Sequence, residues 1–305
     1  EVSVDSDSIL LNSISESEIL NVIKNLKPNL SAGLDNIPAM LIKDCSNIFA
    51  DPLKYIFNLS IKNCVFPDIW KMCRICPIYK HGNKDEVTNY RPISILNNFA
   101  KIFEKVIYNK IFKLVNGKIS QFQHCFVPGR STVTNLTSIS QYLMNSLDKK
   151  KQVDVIYMDM SKAFDRINHK LLLAKLLRLG FSENLERLFA SYLHNRINKV
   201  VVNGFTSNDI LQTSGVPQGS HLGPLLFVLF VNDLFSSVKN CECLMYADDL
   251  KIFIEISNIE DCLRLQEDVN SVIQWCDINS LCLNKDKCLA VTYGRSVNKL
   301  SYEYN

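Results

Sequence analysis

The chain has 305 residues, 47% of them hydrophobic and 21% charged, enough apolar sequence for a substantial core in one large domain or two ordinary ones. Its longest apolar stretch, Leu225 to Val231, is far shorter than the roughly 20 residues that span a bilayer, and the acidic start has no signal-peptide pattern; neither a membrane nor a secreted protein is expected. The formal net charge of +3 is unevenly spread: residues 1–23 carry five acids (Glu1, Asp5, Asp7, Glu16, Glu18) and no base, and residues 206–305 hold 7 Lys/Arg against 13 Asp/Glu, which leaves +14 for residues 24–205. A basic part beside an acidic part suits an enzyme that holds a polyanion with one and divalent cations with the other. The eleven cysteines are odd in number and scattered, which fits reduced thiols inside a cell. The sequence starts at Glu1 and reads as a segment of a longer polypeptide.

Taken in chain order, Ser15 and Glu18 form a capping box, and Ile19, Val22, Ile23 and Leu26 continue at helical spacing until Lys27-Pro28. PNLSAGLDNIP reads as a loop. Helices are expected from Pro38 to Cys45 and from Asn47 to Asn63, then a strand from Lys71 to Tyr79. Cys73 and Cys76 lie in that strand and give C-x2-C-x4-H with His81, but Glu86 stands where a zinc knuckle would continue, so no structural zinc is expected. The polar segment KHGNKDEVTNYRP precedes a helical stretch from Ile95 to Val115, with Ile102, Phe103, Val106, Ile107 and Ile111 on one face and Lys101, Lys105 and Lys110 on others.

A second loop, QHCFVPGRST, leads to a helix from Thr132 to Leu147 and a KKK turn. The pattern then changes. Val153 to Met160 reads as a buried strand, followed by helices near Lys170–Leu179 and Glu183–His194, and a hairpin turning at Asn203-Gly204. A helix over 221–235, two strands meeting at Asp248-Asp249, a helix over 258–280 and a strand from Leu289 to Tyr293 complete the chain. Helix-rich sequence to about residue 150, followed by a smaller mixed core, predicts an α+β protein with two subdomains.

Asp248 and Asp249 sit between two short apolar strands, at the tip of a hairpin. Adjacent acids repel and raise each other's pKa unless a cation neutralises them, and a hard divalent ion is the usual remedy. Asp159, near the end of another buried strand, is placed to add a third carboxylate if that strand lies beside the hairpin in one antiparallel sheet. Three such acids can hold two Mg²⁺ ions about 3.5–4 Å apart, one activating a primer 3′-hydroxyl and one stabilising a pyrophosphate leaving group. By themselves the residues leave the plainer reading open, in which Asp-Asp is a turn dipeptide.

Six ordered blocks narrow the choice. NYRPISILNNFAKIFEKVI, QHCFVPGRSTVTNL, VIYMDMSKAFDRINHKLLLAKL, SGVPQGSHLGPLLF, YADDLKIF and LNKDKC resemble, in sequence, the blocks of non-LTR (LINE-type) retrotransposon reverse transcriptases, particularly jockey-like elements, over nearly the whole chain. The resemblance implies a right-hand polymerase fold, with an N-terminal extension and helical fingers over 1–150, a palm with an antiparallel sheet over 151–305, a further fingers contribution from about 168–235, and a thumb absent or only begun. It implies RNA-directed DNA polymerase activity with an RNA template, a DNA or RNA primer and dNTPs, and two Mg²⁺ ions for which Mn²⁺ substitutes. An endonuclease flanking this segment, and residence in a cytoplasmic ribonucleoprotein and the nucleus, follow from the same likeness.

It also assigns residues. Asp159, Asp248 and Asp249 are the metal ligands, with the Met160 backbone carbonyl a further candidate. Phe164, five positions after Asp159, is the ring that would clash with a ribose 2′-hydroxyl; Asp165 takes no metal role. Gly215, Pro217, Gln218 and Gly219 form the loop against incoming nucleotide and template, with Gln218 its principal side chain and Gly219 allowing close backbone approach. Lys80 and Arg91, bracketing the loop 81–90, are the triphosphate cations, and Lys287 is the general acid near the pyrophosphate. Two departures from the family pattern are Cys125, where glycine is usual and strain follows if that backbone needs a positive φ, and Met160, where phenylalanine is commoner. Two alternatives remain: a non-catalytic nucleic-acid-binding remnant of such an element, and an intron-maturase-like reverse transcriptase.

Overall fold

The computed structural model describes residues 8–296 and 299–305, so Glu1, Asp5 and Asp7 of the acidic start lie outside it. The elements in chain order are helices α1 (Glu16–Lys24), α2 (Ala39–Asp44) and α3 (Ser46–Asn63), strands β1 (Met72–Tyr79) and β2 (Tyr90–Ile95), helices α4 (Asn98–Val115) and α5 (Thr132–Asp148), strand β3 (Gln152–Asp159), helices α6 (Ala163–Arg166), α7 (His169–Arg178) and α8 (Glu183–Leu193), strands β4 (Arg196–Val202), β5 (Phe205–Thr206) and β6 (Ile210–Gln212), helix α9 (Leu222–Val231), strands β7 (Glu242–Tyr246) and β8 (Asp249–Ile256), helix α10 (Ile259–Ile278) and strand β9 (Leu289–Tyr293). Helix and sheet are mixed throughout, as expected of an α+β chain. No helix among the described residues is long and apolar enough to cross a membrane.

Two compact units are present, and the boundary expected near residue 150 is not one of theirs. One comprises residues 1–117 and 169–226, the other 118–168 and 227–305. The difference has a physical cause: α5 packs Ile139 on Val153, Val155, Leu244 and Phe253 of the later strands, so it joins their core rather than that of the helices preceding it.

In the first unit the Ser15–Glu18 capping box closes the start of α1, which buries Ile19, Val22 and Ile23. The α4 face read from the sequence is buried as a whole, with Ile102, Phe103 and Ile111 at 0% exposure, and Phe103 stacks on Phe57 at 4.4 Å and on Phe66 at 5.5 Å. The sheet runs β2-β1-β4-β5 with β6 also on β4; β1 pairs antiparallel with β2 and parallel with β4. Asn203 and Gly204 turn the β4–β5 hairpin with φ 50° and 83°, as an Asn-Gly hairpin turn requires. Strand β2 begins inside the segment read as a polar loop, and Ile95 ends it instead of starting a helix. An edge strand tolerates its Pro92 and its exposed side chains. Fully buried Glu104 on α4 accepts the N–H groups of His221 (2.8 Å) and Leu222 (3.4 Å) with Oε2, supplying the start of α9 with a cap from another element. Burial pushes the Glu104 carboxyl up, and the Arg196 guanidinium and these N–H groups draw it back.

In the second unit β7-β8-β3-β9 form one antiparallel sheet. Helix α5 covers one face, while α10, with Cys262, Leu265, Val269 and Val272 buried, packs against β8. The segment after α4 joins this unit as well: His124 donates its N–H to the Met245 carbonyl and Met245 donates to that of Phe122, both at 2.9 Å.

Candidate active site

Register settles where the carboxylates stand. Pairing of β3 with β8 sets Asp159 opposite Asp249, and Asp248 lies in the turn just before β8, so the last residue of one strand and the tip of a hairpin bring three aspartates to one edge of the second unit's sheet. Backbone bonds lock the arrangement: Met160 donates to the Asp248 carbonyl at 3.4 Å, Ser161 to that of Cys282 at 2.7 Å and Asn284 to that of Asp159 at 2.8 Å. The last two tie the LNKDKC segment to the end of β3. Lys287 thereby reaches Asp159, with Nζ at 3.3 Å from both carboxylate oxygens. Met160, whose carbonyl is the further candidate ligand, is buried at 1% exposure.

The electrostatics ask for positive charge. Partial burial, followed by the charges of Asp249 and Asp159, holds the Asp248 carboxyl above the usual range, and Lys287 only partly offsets this. Asp249 is raised by desolvation and then by Asp159, against Lys287 and Lys251. A divalent cation would relieve all three acids at once, so the donor set fits a hard metal ion in charge and chemistry. Among the described residues no three His, Cys, Asp or Glu side chains are yet grouped so as to hold a metal ion. The same holds for Cys73 and Cys76, an odd number of residues apart on β1 and therefore on opposite faces; the buried Cys73 sulfur instead accepts from Arg196 at 3.1 Å.

A cavity of about 290 Å³ adjoins the aspartates, lined among others by Asp159, Asp249, Tyr157, Tyr246, Lys251 and Lys287. Phe164, also in this unit, is half-buried and stacks on fully buried Phe227 at 4.3 Å and 16°, with Phe126 edge-on at 5.9 Å. Cys125 does not carry the backbone strain its departure from glycine would bring: the positive φ, 58°, falls on Phe126. Arg130 braces this loop, donating to the carbonyls of Ser120 and Gln123 at 2.6 and 2.7 Å.

The remaining predicted residues belong to the first unit. Lys80 and Arg91 stand at the loop end of the β1–β2 hairpin, where Arg91 pairs with Ile78 and Lys80 donates its N–H to the Asn89 carbonyl at 2.9 Å. Both are exposed, and neither forms an ion pair among the described residues. The hairpin tip is ordered by Tyr79 on Tyr90 (5.6 Å between centroids), by Tyr79 O–H to the Gly82 carbonyl and by Tyr90 O–H to that of Lys84. Gln218 is half-buried; its carbonyl accepts the Ser94 N–H at 2.7 Å, pinning the loop to β2. Gly219 is irreplaceable there: φ is +111°, and a Cβ would stand 2.8 Å from the Ser94 carbonyl oxygen.

A family model for reverse transcriptase (RNA-dependent DNA polymerase) matches residues 78–304. The chain belongs to the reverse transcriptase family. Within it the chain is similar to the probable RNA-directed DNA polymerase from transposon BS of Drosophila melanogaster (30% identity, 92% of this chain and 32% of that protein) and to the RNA-directed DNA polymerase from mobile element jockey of the same species (31%, 94% and 32%). The retrovirus-related Pol polyprotein of the type-1 retrotransposable element R2 of Popillia japonica is 23% identical over 93% of this chain and 40% of its own length. These affinities are those of a jockey-like non-LTR element, and the chain spans about a third of the length of its first relatives. Reverse transcriptases work on a template, a primer and nucleotides and use divalent metal ions, which agrees with the acidic centre. Sequence reading missed Lys251 and Asn135 beside that centre. The alternation of β8 puts Lys251 on the face of Asp249, a signal available in YADDLKIF, whereas nothing local marks Asn135 as its partner.

Proposed function

We propose that this chain is the polymerase core of an RNA-directed DNA polymerase, extending a DNA or RNA primer along an RNA template with dNTPs. The observation that carries the reading is the in-register pairing of Asp159 with Asp249, beside Asp248, in a reverse transcriptase family chain. Asp159, Asp248 and Asp249, with the Met160 carbonyl as a further donor, would hold two Mg²⁺ ions or Mn²⁺ in their place, which would supply activation of the primer 3′-hydroxyl and charge stabilisation of the departing pyrophosphate.

The protein's own side chains supply the rest. Phe164 excludes a ribose 2′-hydroxyl; its stacking on Phe227 supports this, because a clamped ring cannot swing aside. Lys80 and Arg91 hold triphosphate oxygens, Arg91 as a planar fork and Lys80 as a point charge, and their exposure without ion-pair partners leaves both available. Gln218 contacts nucleotide and template from a loop that Gly219 brings against β2. Lys287 gives a proton from Nζ to the pyrophosphate oxygen as the bond to the transferred phosphorus breaks. The sheet of the second unit, with α5 and α10, is the palm in this reading; the β1–β2 hairpin and the helices of the first unit belong to the fingers. A thumb and an endonuclease are assigned to other parts of a polypeptide as long as the relatives. The eleven free cysteines support an intracellular setting; a cytoplasmic ribonucleoprotein and the nucleus rest on likeness to the family.

The deciding experiment is dNTP incorporation on poly(rA)·oligo(dT) with Mg²⁺ by this chain, by a C-terminally extended version and by Asp248→Asn. Incorporation that Asp248→Asn abolishes is expected. No incorporation even by the extended protein would leave a nucleic-acid-binding remnant as the reading.

A further inference from the structure

Beneath α5 the sheet face that carries Asp159 and Asp249 is apolar, built from Val153, Val155, Leu244 and Phe253 packed against Ile139 of the helix. Lys251 interrupts it. Residues two apart on a strand share a face, so Lys251 stands on the side of Asp249 and Phe253, paired with Tyr157 on β3 and Leu244 on β7. Its ammonium donates to Asn135 Oδ1 at 2.6 Å, and Asn135, only 1% exposed, is itself fixed by donating Nδ2 to the Met245 carbonyl at 3.3 Å. A lysine and an asparagine facing each other in an apolar interface cost desolvation that two leucines would avoid.

What the pair yields is a cation held in place. Asn135 takes one of the three ammonium donors, and Lys251 lines the cavity of about 290 Å³ whose wall also carries Asp159, Asp249 and Lys287. Two residues along a strand span about 6–7 Å, which is the reach of one sugar-phosphate unit. An anion on Lys251 therefore lies one nucleotide step from whatever the carboxylates act on. A triphosphate has its own cations in Lys80, Arg91 and Lys287; the backbone of the primer terminus has none assigned.

We propose that Lys251, positioned by Asn135, binds a phosphodiester of the primer strand next to its 3′ end, setting the terminal sugar at the aspartates. This rests on the polymerase reading above. The test uses the 305-residue chain and a fluorescein-labelled oligo(rA)/oligo(dT) hybrid, with affinity measured by anisotropy over a KCl series. The primer carries either natural linkages or one uncharged methylphosphonate at each of its last three positions in turn.

One of those linkages is expected to weaken wild-type binding about tenfold at low salt and to reduce the slope of log K against log salt by about 0.7–0.9. Lys251→Met should reproduce both losses and gain nothing more from the methylphosphonate, whereas Lys251→Arg should keep the wild-type slope. Flat affinity across the three linkages, or losses from linkage and Lys251→Met that simply add, would overturn the site. Should Lys251→Met fail to fold by thermal melting, the linkage scan on the wild-type chain decides alone. The polymerase reading fails separately, when the wild-type chain gives no extension that depends on Asp248, and the primer site then falls with it.

Discussion

One buried carboxylate in the first unit and three aspartates in the second are provided for in different ways. Glu104 is fully buried, yet its Oε2 receives two backbone N–H groups and Arg196, equally buried, acts on it electrostatically. Asp159, Asp248 and Asp249 are less buried and face one another: Lys287 sits on Asp159 at 3.3 Å with most of its side chain in solvent, and Asp248 and Asp249 are held above the usual carboxylate range by burial and by neighbouring acids, whereas burial alone raises Glu104. Glu104, which serves packing, carries its counter-groups on Oε2, while its buried Oε1 has no hydrogen-bond partner among the described residues. A set of acids left short of positive charge at a sheet edge is built for a ligand that brings its own.

That contrast breaks if the two groups respond alike to substitution. Asp159→Asn should cut incorporation by about 10³-fold or more while hybrid affinity stays within about twofold and the melting temperature does not fall; a parallel loss of stability would make the aspartates structural. Glu104→Ala should do the reverse, costing about 1–3 kcal/mol of stability by leaving the N–H groups of His221 and Leu222 without their acceptor, to be read from urea unfolding. Phe164→Ala should raise rNTP use relative to dNTP use by about tenfold or more; it also loses the stacking on Phe227, so the ratio of kcat/KM for the two nucleotides is the quantity to measure. Arg91→Ala, on an exposed side chain, should raise the dNTP KM about tenfold with hybrid binding and melting unchanged. An unaltered KM would remove Arg91 from the triphosphate site.

The same contrast explains what could be read from the sequence. The Ser15–Glu18 cap, the buried face of α4, the Asn203-Gly204 turn and the strands around Asp248-Asp249 are local patterns in which a few neighbouring residues decide the conformation, and each stands where it was expected. Asp159 was legible as the end of a buried strand, and its placement opposite Asp249 follows once that strand joins the hairpin. Pairings between distant segments were not legible. The parallel contact of β1 with β4 joins residues more than 120 apart, β2 hides its strand character behind Pro92 and exposed charge, and α5 is assigned to its unit by apolar contacts with strands that come later. Glu104 and Lys251 look like ordinary surface charges of a helix and a strand; only His221 in one case and Asn135 in the other show what they hold. Gly219 was marked by its motif, but the reason for it, the Ser94 carbonyl, belongs to the unforeseen strand.

The smallest expected effect is also the one that tests the contrast without any catalysis. Because the folded chain holds Asp248 above its ordinary value of 3.8, the folded state binds more protons than the unfolded one between those two values. Ionised Asp248 therefore destabilises the fold once the pH exceeds its folded pKa, and that cost vanishes below the unfolded value. Asp248→Asn removes the charge and keeps the shape, so at pH 7 it should melt about 1–3 °C higher than wild type, with the gain disappearing near pH 3. Mg²⁺ should act on the same balance from the other side, raising the wild-type melting temperature by binding the folded state and leaving Asp248→Asn less affected. Changing Glu104 to Gln should leave the wild-type Mg²⁺ response unaltered. A Mg²⁺ response equal in wild type and Asp248→Asn would mean that the ion stabilises the chain somewhere else, and that the shortage of positive charge at Asp248 is not what a metal relieves.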